Sequence, residues 1–183
     1  MKPIYFIVFI VVAVLQIGTP LKMIFDNEDI LISGTAYKFK TRPVDPTDPF
    51  RGKYITLQFE MNSFEISDSD TAYVYGDEIR VYIENDDEGF AKVVQVSRKP
   101  LDIGSDYVIA KVTNTYSDEI MFELPFDRFY MEETKAYDAE KAYRDVNRNS
   151  KKNEVYAVVY VKDGASVLEN VIIEGIPIQE YVE

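Results

Sequence analysis

The chain is 183 residues long, with 20 Lys and Arg against 32 Asp and Glu and a formal net charge of -12. It contains neither histidine nor cysteine. That excludes Ser-His-Asp and Cys-His catalysis, disulfides, iron–sulfur clusters and zinc sites built on either residue. The acidic balance argues against a phosphate backbone as partner, so no nucleic acid is expected, and no cofactor either.

The first element is an apolar run from Ile4 to Ile17, behind Met1-Lys2-Pro3. Alone it would span about 21 Å as a helix, short of a bilayer core of roughly 30 Å. Continuing through Gly18, Thr19 and Pro20 to Phe25 supplies the missing length, with Thr19 bonding back within the helix and Lys22 near enough to its end to snorkel. Pro20 removes one helical hydrogen bond. A cleaved signal would need a small-x-small site after the run, and Leu15 to Pro20 offer none. The expectation is an uncleaved anchor that meets the lipid bilayer through residues 4–25. Lys2 is the sole charge before the span, and Asp26, Glu28 and Asp29 follow it. The positive-inside rule then places the rest of the chain on the extracytoplasmic side of the cytoplasmic membrane, as a single-pass protein.

Leu21, Ile24, Phe25, Glu28 and Leu31 keep helical spacing beyond the span, and Gly34 stands where a C-cap belongs. The reading is an anchor with a juxtamembrane extension over 1–34 and a β domain over 35–183. Tyr37 to Thr41 alternates. Lys53 to Met61 alternates again, with Ile55, Leu57, Phe59 and Met61 on one face and Tyr54, Thr56 and Gln58 on the other. Further strands are expected at Thr71–Tyr75, Glu78–Ile83, Phe90–Val96, Tyr107–Thr113 and Glu119–Leu124. Thr134 to Asn147 breaks the pattern, placing Ala136, Ala139, Tyr143 and Val146 on one helical face. A last hairpin joins Glu154–Val161 to Ser166–Ile173 through Asp163-Gly164. The fold class is mainly β (α+β): a transmembrane helix, an antiparallel β domain and one short surface helix.

The most distinctive stretch is Pro43-Val44-Asp45-Pro46-Thr47-Asp48-Pro49-Phe50-Arg51, leading into Gly52-Lys53-Tyr54-Ile55-Thr56-Leu57-Gln58-Phe59. It resembles the hallmark of the GDYXXLXY family, single-span bacterial membrane proteins of uncharacterised activity. Lys53 replaces the motif's Asp and Phe59 its last Tyr. The resemblance extends over nearly the whole chain, through an Arg128-Phe129-Tyr130-Met131-Glu132-Glu133 segment ahead of the helix. It implies an envelope protein with its domain outside the cytoplasmic membrane. Members occur alongside multi-spanning membrane proteins, so it also implies one of these as partner. It carries over no catalytic residue, and Lys53 counts against any scheme that needs a carboxylate there.

The prolines restrict the lead-in, Asp45 and Asp48 are suited to capping turns, and Arg51 is close enough in sequence to pair with Asp48. Such a loop serves as a rigid corner or as a preorganised binding edge. Tyr54 lies on the strand face opposite Leu57 and Phe59, where it either makes a cross-strand aromatic pair or recognises a partner. Asp45, Asp48, Arg51, Tyr54, Arg128, Tyr130 and Glu132 are the candidate binding residues.

The first functional expectation is a membrane-anchored accessory or interaction protein without enzymatic activity. The alternative is a hydrolase independent of histidine. A Ser–Lys pair would have to use Ser33, the sole serine near the end of the span; a carboxylate pair would draw on Asp127, Glu132 and Glu133. The acidic turns Asp68-Ser69-Asp70 and Asn85-Asp86-Asp87-Glu88-Gly89 carry calcium-type ligands without EF-hand spacing, and no metal site is expected.

Overall fold

The computed structural model describes residues 3–42, 54–66, 73–116, 118–149 and 155–182. Helix α1 (Pro3–Ser33) passes to β1 (Thr35–Arg42) with Gly34 alone between them. Short strands β2 (Tyr54–Thr56), β3 (Gln58–Phe59) and β4 (Ser63–Glu65) come next. Longer strands β5 (Glu78–Asn85), β6 (Ala91–Ser97), β7 (Asp106–Tyr116) and β8 (Glu119–Glu123) follow. The remainder is β9 (Arg128–Tyr130), α2 (Glu133–Asn149), β10 (Val155–Lys162), β11 (Ala165–Ile173), β12 (Ile176–Pro177) and the one-turn α3 (Ile178–Tyr181). The expected class therefore holds: a long apolar helix, then a mainly β, antiparallel body with a short helix.

Two five-stranded sheets, ordered β12-β11-β10-β1-β3 and β4-β8-β7-β5-β6, enclose the core, and β2 pairs with β9 in a separate ribbon. Alternation makes each strand two-faced. In β10, Val155, Ala157, Val159 and Val161 are buried while the residues between them are half-exposed. Phe39 of β1, Phe59 of β3 and Phe126 fill the centre edge-on, with centroids 4.9–5.9 Å apart, the arrangement aromatic quadrupoles favour. Helix α2 adds buried Ala136, Ala139 and Tyr143 to the inner side, so its predicted apolar face meets the body rather than lying wholly at the surface.

Six elements depart from the sequence reading. The motif strand is not one ladder: residues 54–56 pair with β9, and 58–59 pair with β1. The break falls at Leu57, whose N–H donates to the Asp127 carbonyl at 2.7 Å. Its predicted in–out alternation nevertheless survives, because buried Ile55, Leu57 and Phe59 share one core. Tyr73–Tyr75 do not form the expected strand, and residues 71 and 72 lie outside the described residues. Asp77 is the reason. Its carboxylate accepts the Val74 N–H at 2.9 Å and its own N–H donates to the Val74 carbonyl, so the side chain closes a turn that competes with a ladder. Strands β4, β9 and β12 and helix α3 are too short to show a period in the sequence.

The predicted Asp163-Gly164 turn is present. Both residues have positive φ, 51° and 86°, as a two-residue hairpin requires. The turn also ties the sheets together: Ile109 N–H donates to the Gly164 carbonyl, and the Tyr107 hydroxyl donates to the Asp163 carbonyl. A Cβ at Gly164 would stand 2.4 Å from the Tyr107 ring, whereas one at Gly104, also at positive φ, meets nothing within 4 Å. Gly104→Ala should therefore carry only the left-handed backbone cost of about 1–2 kcal/mol. Gly164→Ala should exceed it by at least about 1 kcal/mol of overpacking. Denaturant unfolding of the detergent-solubilised chain checks the order; equal losses would show that the turn is not clamped by Tyr107.

The Val74 N–H and the Arg98 guanidinium hold the Asp77 carboxyl below its ordinary range. A depressed folded pKa stabilises the native state above the unfolded value near 3.9, and that contribution is lost as pH falls through the folded pKa. Stability should fall with acid below about pH 4, and the fall should be shallower in Asp77→Asn. The same slope in both proteins, measured by thermal unfolding against pH, would refute the coupling.

Candidate interaction site on the motif strand

The β2–β9 ribbon sets Tyr54 opposite Tyr130, Ile55 opposite Phe129 and Thr56 opposite Arg128. Ile55 and Phe129 are buried, which turns Tyr54, Thr56, Arg128 and Tyr130 to the other face. The tyrosine rings meet with centroids 5.5 Å apart and tilted by 57°. Arg128, diagonal to Tyr54 across the ladder, lays its guanidinium 5.1 Å from that ring, a cation–π separation. Contact with Tyr130 and then the Asp127 carboxylate push the Arg128 guanidinium above its ordinary range. The Asp127 carboxylate lies 3.8 Å from Arg128 Nε.

Beside the ribbon, two hollows share the Leu124–Asp127 corner. The larger, of about 460 Å³, is lined by Lys111, Glu123, Asp127, Arg128 and Ser166 over an apolar floor that includes Ile109 and Leu124. The smaller, of about 310 Å³, is lined by Arg42, Thr56, Gln58 and Asn62, and Asp127 borders both. The cluster thus combines a fixed cation, a carboxylate and an exposed phenol beside a shallow groove. Such a surface suits polar recognition of another chain.

Of the seven candidate residues, Tyr54, Arg128 and Tyr130 come together. Glu132 belongs instead to the start of α2: its carboxylate accepts the Thr134 hydroxyl at 2.9 Å, and its carbonyl accepts the N–H groups of Lys135 and Ala136. Asp45, Asp48 and Arg51 lie outside the described residues, as do Gly52 and Lys53. Lys111, Glu123 and Ser166 were not foreseen. They are far apart in sequence, and only the sheet register and the β10–β11 turn bring them to one groove.

The family model described as GDYXXLXY protein matches residues 16–171. The chain belongs to the GDYXXLXY family. No curated protein and no solved structure matches it. In this GDYXXLXY protein the motif's positions divide by task. Tyr54 packs outward against Tyr130 and Arg128, while Leu57 and Phe59 are core residues. Phe59 at the motif's last position rests between Phe39 and Phe126, where a phenol would need a buried partner for its hydroxyl.

The serine–lysine arrangement suggested by the sequence has a counterpart in the GDYXXLXY body. Lys162 Nζ donates to Ser33 Oγ at 2.8 Å, a serine–lysine contact. The same ammonium is held by Asp29 at 2.6 Å, and the Ser33 hydroxyl donates to the Asp29 carbonyl. The Lys162 ammonium thus bridges a carboxylate and a hydroxyl of α1 from β10. The contact is a tether. Asp86 uses its carboxylate within its own turn, accepting the N–H groups of Glu88 and Phe90 at 2.9 Å each, and the Phe90 N–H is the main cause of its lowered pKa. Among the described residues no group of three or more acidic side chains converges to hold a metal ion; Asp68 and Asp70 lie outside them.

Replacing Arg128 with Met keeps an unbranched apolar stem and removes the guanidinium. A small loss of stability is expected, with a changed tyrosine near-UV circular dichroism and an intact far-UV spectrum. Arg128→Lys should retain the charge but lose most of the stacking. An unaltered tyrosine signal in both variants would mean that the cation does not order the Tyr54–Tyr130 pair.

Proposed function

We propose that this GDYXXLXY protein is a membrane-anchored accessory protein, held by one helix in the cytoplasmic membrane with its β domain on the extracytoplasmic side. It acts by engaging a membrane protein partner rather than by catalysis. The observation that carries the proposal is α1 itself. From Ile4 to Phe25 its large apolar side chains are exposed, and none of this stretch is buried against the body. A helix apolar on all sides and uncovered by its own protein finds its cover in lipid or in another membrane protein. Lys2 before the span and the acids after it support the orientation. The Tyr54–Arg128–Tyr130 surface is the candidate contact on the domain.

A chain without cysteine makes single-cysteine mapping direct. Glu169→Cys, on an exposed position of β11, should react with an impermeant maleimide in intact spheroplasts. Pro3→Cys should react only after permeabilisation, and both proteins should resist carbonate extraction. Recovery of a soluble protein shortened at its N-terminus would end the proposal. So would labelling of Glu169→Cys only in broken cells.

A further inference from the structure

The last three turns of α1 have two different sides. One side holds the domain: Ile30 is buried, and Asp29 and Ser33 both engage Lys162. The opposite side, within about 120° of arc at helical spacing, carries Leu21, Ile24, Phe25, Glu28, Leu31 and Ile32. These apolar residues are open: Phe25 is 69%, Leu31 37% and Ile32 79% exposed. Ile32 stands about 10 Å along the axis beyond Phe25, on the far side of the Asp26-Asn27-Glu28-Asp29 block. With the bilayer spanned by residues 4–25, as proposed above, the stripe begins in the membrane and continues past the level at which acyl chains can cover it.

The stalk's acids are also sorted. Asp26 pairs with Lys22 and Asp29 with Lys162. Glu28, in the middle of the stripe, has no ion-pair partner among the described residues. A second parallel copy would bring Glu28 against Glu28 and add another body of net charge -12, so like charge disfavours it.

Resting on the proposal above, we infer that the outer stripe of α1 is the docking surface for a transmembrane helix of a different protein. That helix rises above the bilayer alongside α1, packs apolar side chains on Leu21, Ile24, Leu31 and Ile32, and sets a lysine or arginine against Glu28. The domain-side contacts leave this face outward, so the partner meets the stalk without displacing the domain.

The test uses the full-length chain in its native membrane, with a photo-crosslinking amino acid at Ile24 or Ile32 on the stripe and at Met23 or Asn27 off it. The stripe positions should give one and the same heteromeric adduct, well above the off-stripe positions. Glu28→Lys should lower the Ile32 adduct by roughly threefold or more, as loss or reversal of a surface ion pair allows, and Glu28→Asp should largely retain it. An adduct with the mass of two copies of this chain would overturn the inference, as would equal yields at all four positions or crosslinking to lipid alone. Carbonate extraction of the same membranes reports separately on the anchor, so the docking surface can fail while the anchored reading stands.

Discussion

The helix and the sheet are joined without slack, and the rest of the molecule is arranged around that joint. Gly34 is the only residue between α1 and β1, its N–H donates to the Ile30 carbonyl at 2.8 Å, and a Cβ there would stand 2.5 Å from that oxygen and 3.0 Å from the Val161 carbonyl. Two backbones thus approach as closely as a missing side chain permits. Burial of Ile30 and the Lys162 contacts to Asp29 and Ser33 hold the helix against the β10–β11 hairpin on the other side of the joint. A flexible linker would let the domain sample many heights and tilts. Here the direction of the helix is carried into the body, and a contact on either is placed relative to the other.

The family motif acquires a physical sense from the split at Leu57. One short segment serves two sheets in succession, first beside β9 and then beside β1, and it changes partner through a hydrogen bond to the Asp127 carbonyl. Its inward residues are required by the core whichever sheet they belong to. Its outward tyrosine is free of that demand, and Arg128 and Tyr130 are set against it by register alone. A motif of this kind records a place where chain segments cross, so its residue types need not imply chemistry.

The acidity of the protein likewise has local uses. Asp77 and Asp86 each close a turn with their own carboxylate, and Asp29 receives Lys162. In a chain with no histidine these groups hold geometry rather than exchange protons near neutral pH. The Asn85–Gly89 turn, which resembles a metal loop from composition, is satisfied by the N–H groups of Glu88 and Phe90. A carboxylate already accepting backbone N–H bonds within its own turn is poorly free to hold anything else.

The sequence by itself determined the elements whose signal is local. The length and composition of α1, the alternation of β1, β5, β10 and β11, the apolar face of α2 and the Asp163-Gly164 turn all follow from periodicity and backbone preference over a few residues. Tyr54 was legible as an outward residue for the same reason. Only the tertiary structure decided that Tyr73–Tyr75 turn instead of pairing, that the motif strand divides between two sheets, and that Lys111, Glu123, Arg128 and Ser166 share a groove. Each depends on which distant segment supplies the next hydrogen bond, and pairings between remote strands leave no period in the chain to read. The open side of α1 is divided between the two sources: its apolar spacing is written in the sequence, but which face remains uncovered was settled by where the β10–β11 hairpin came to rest.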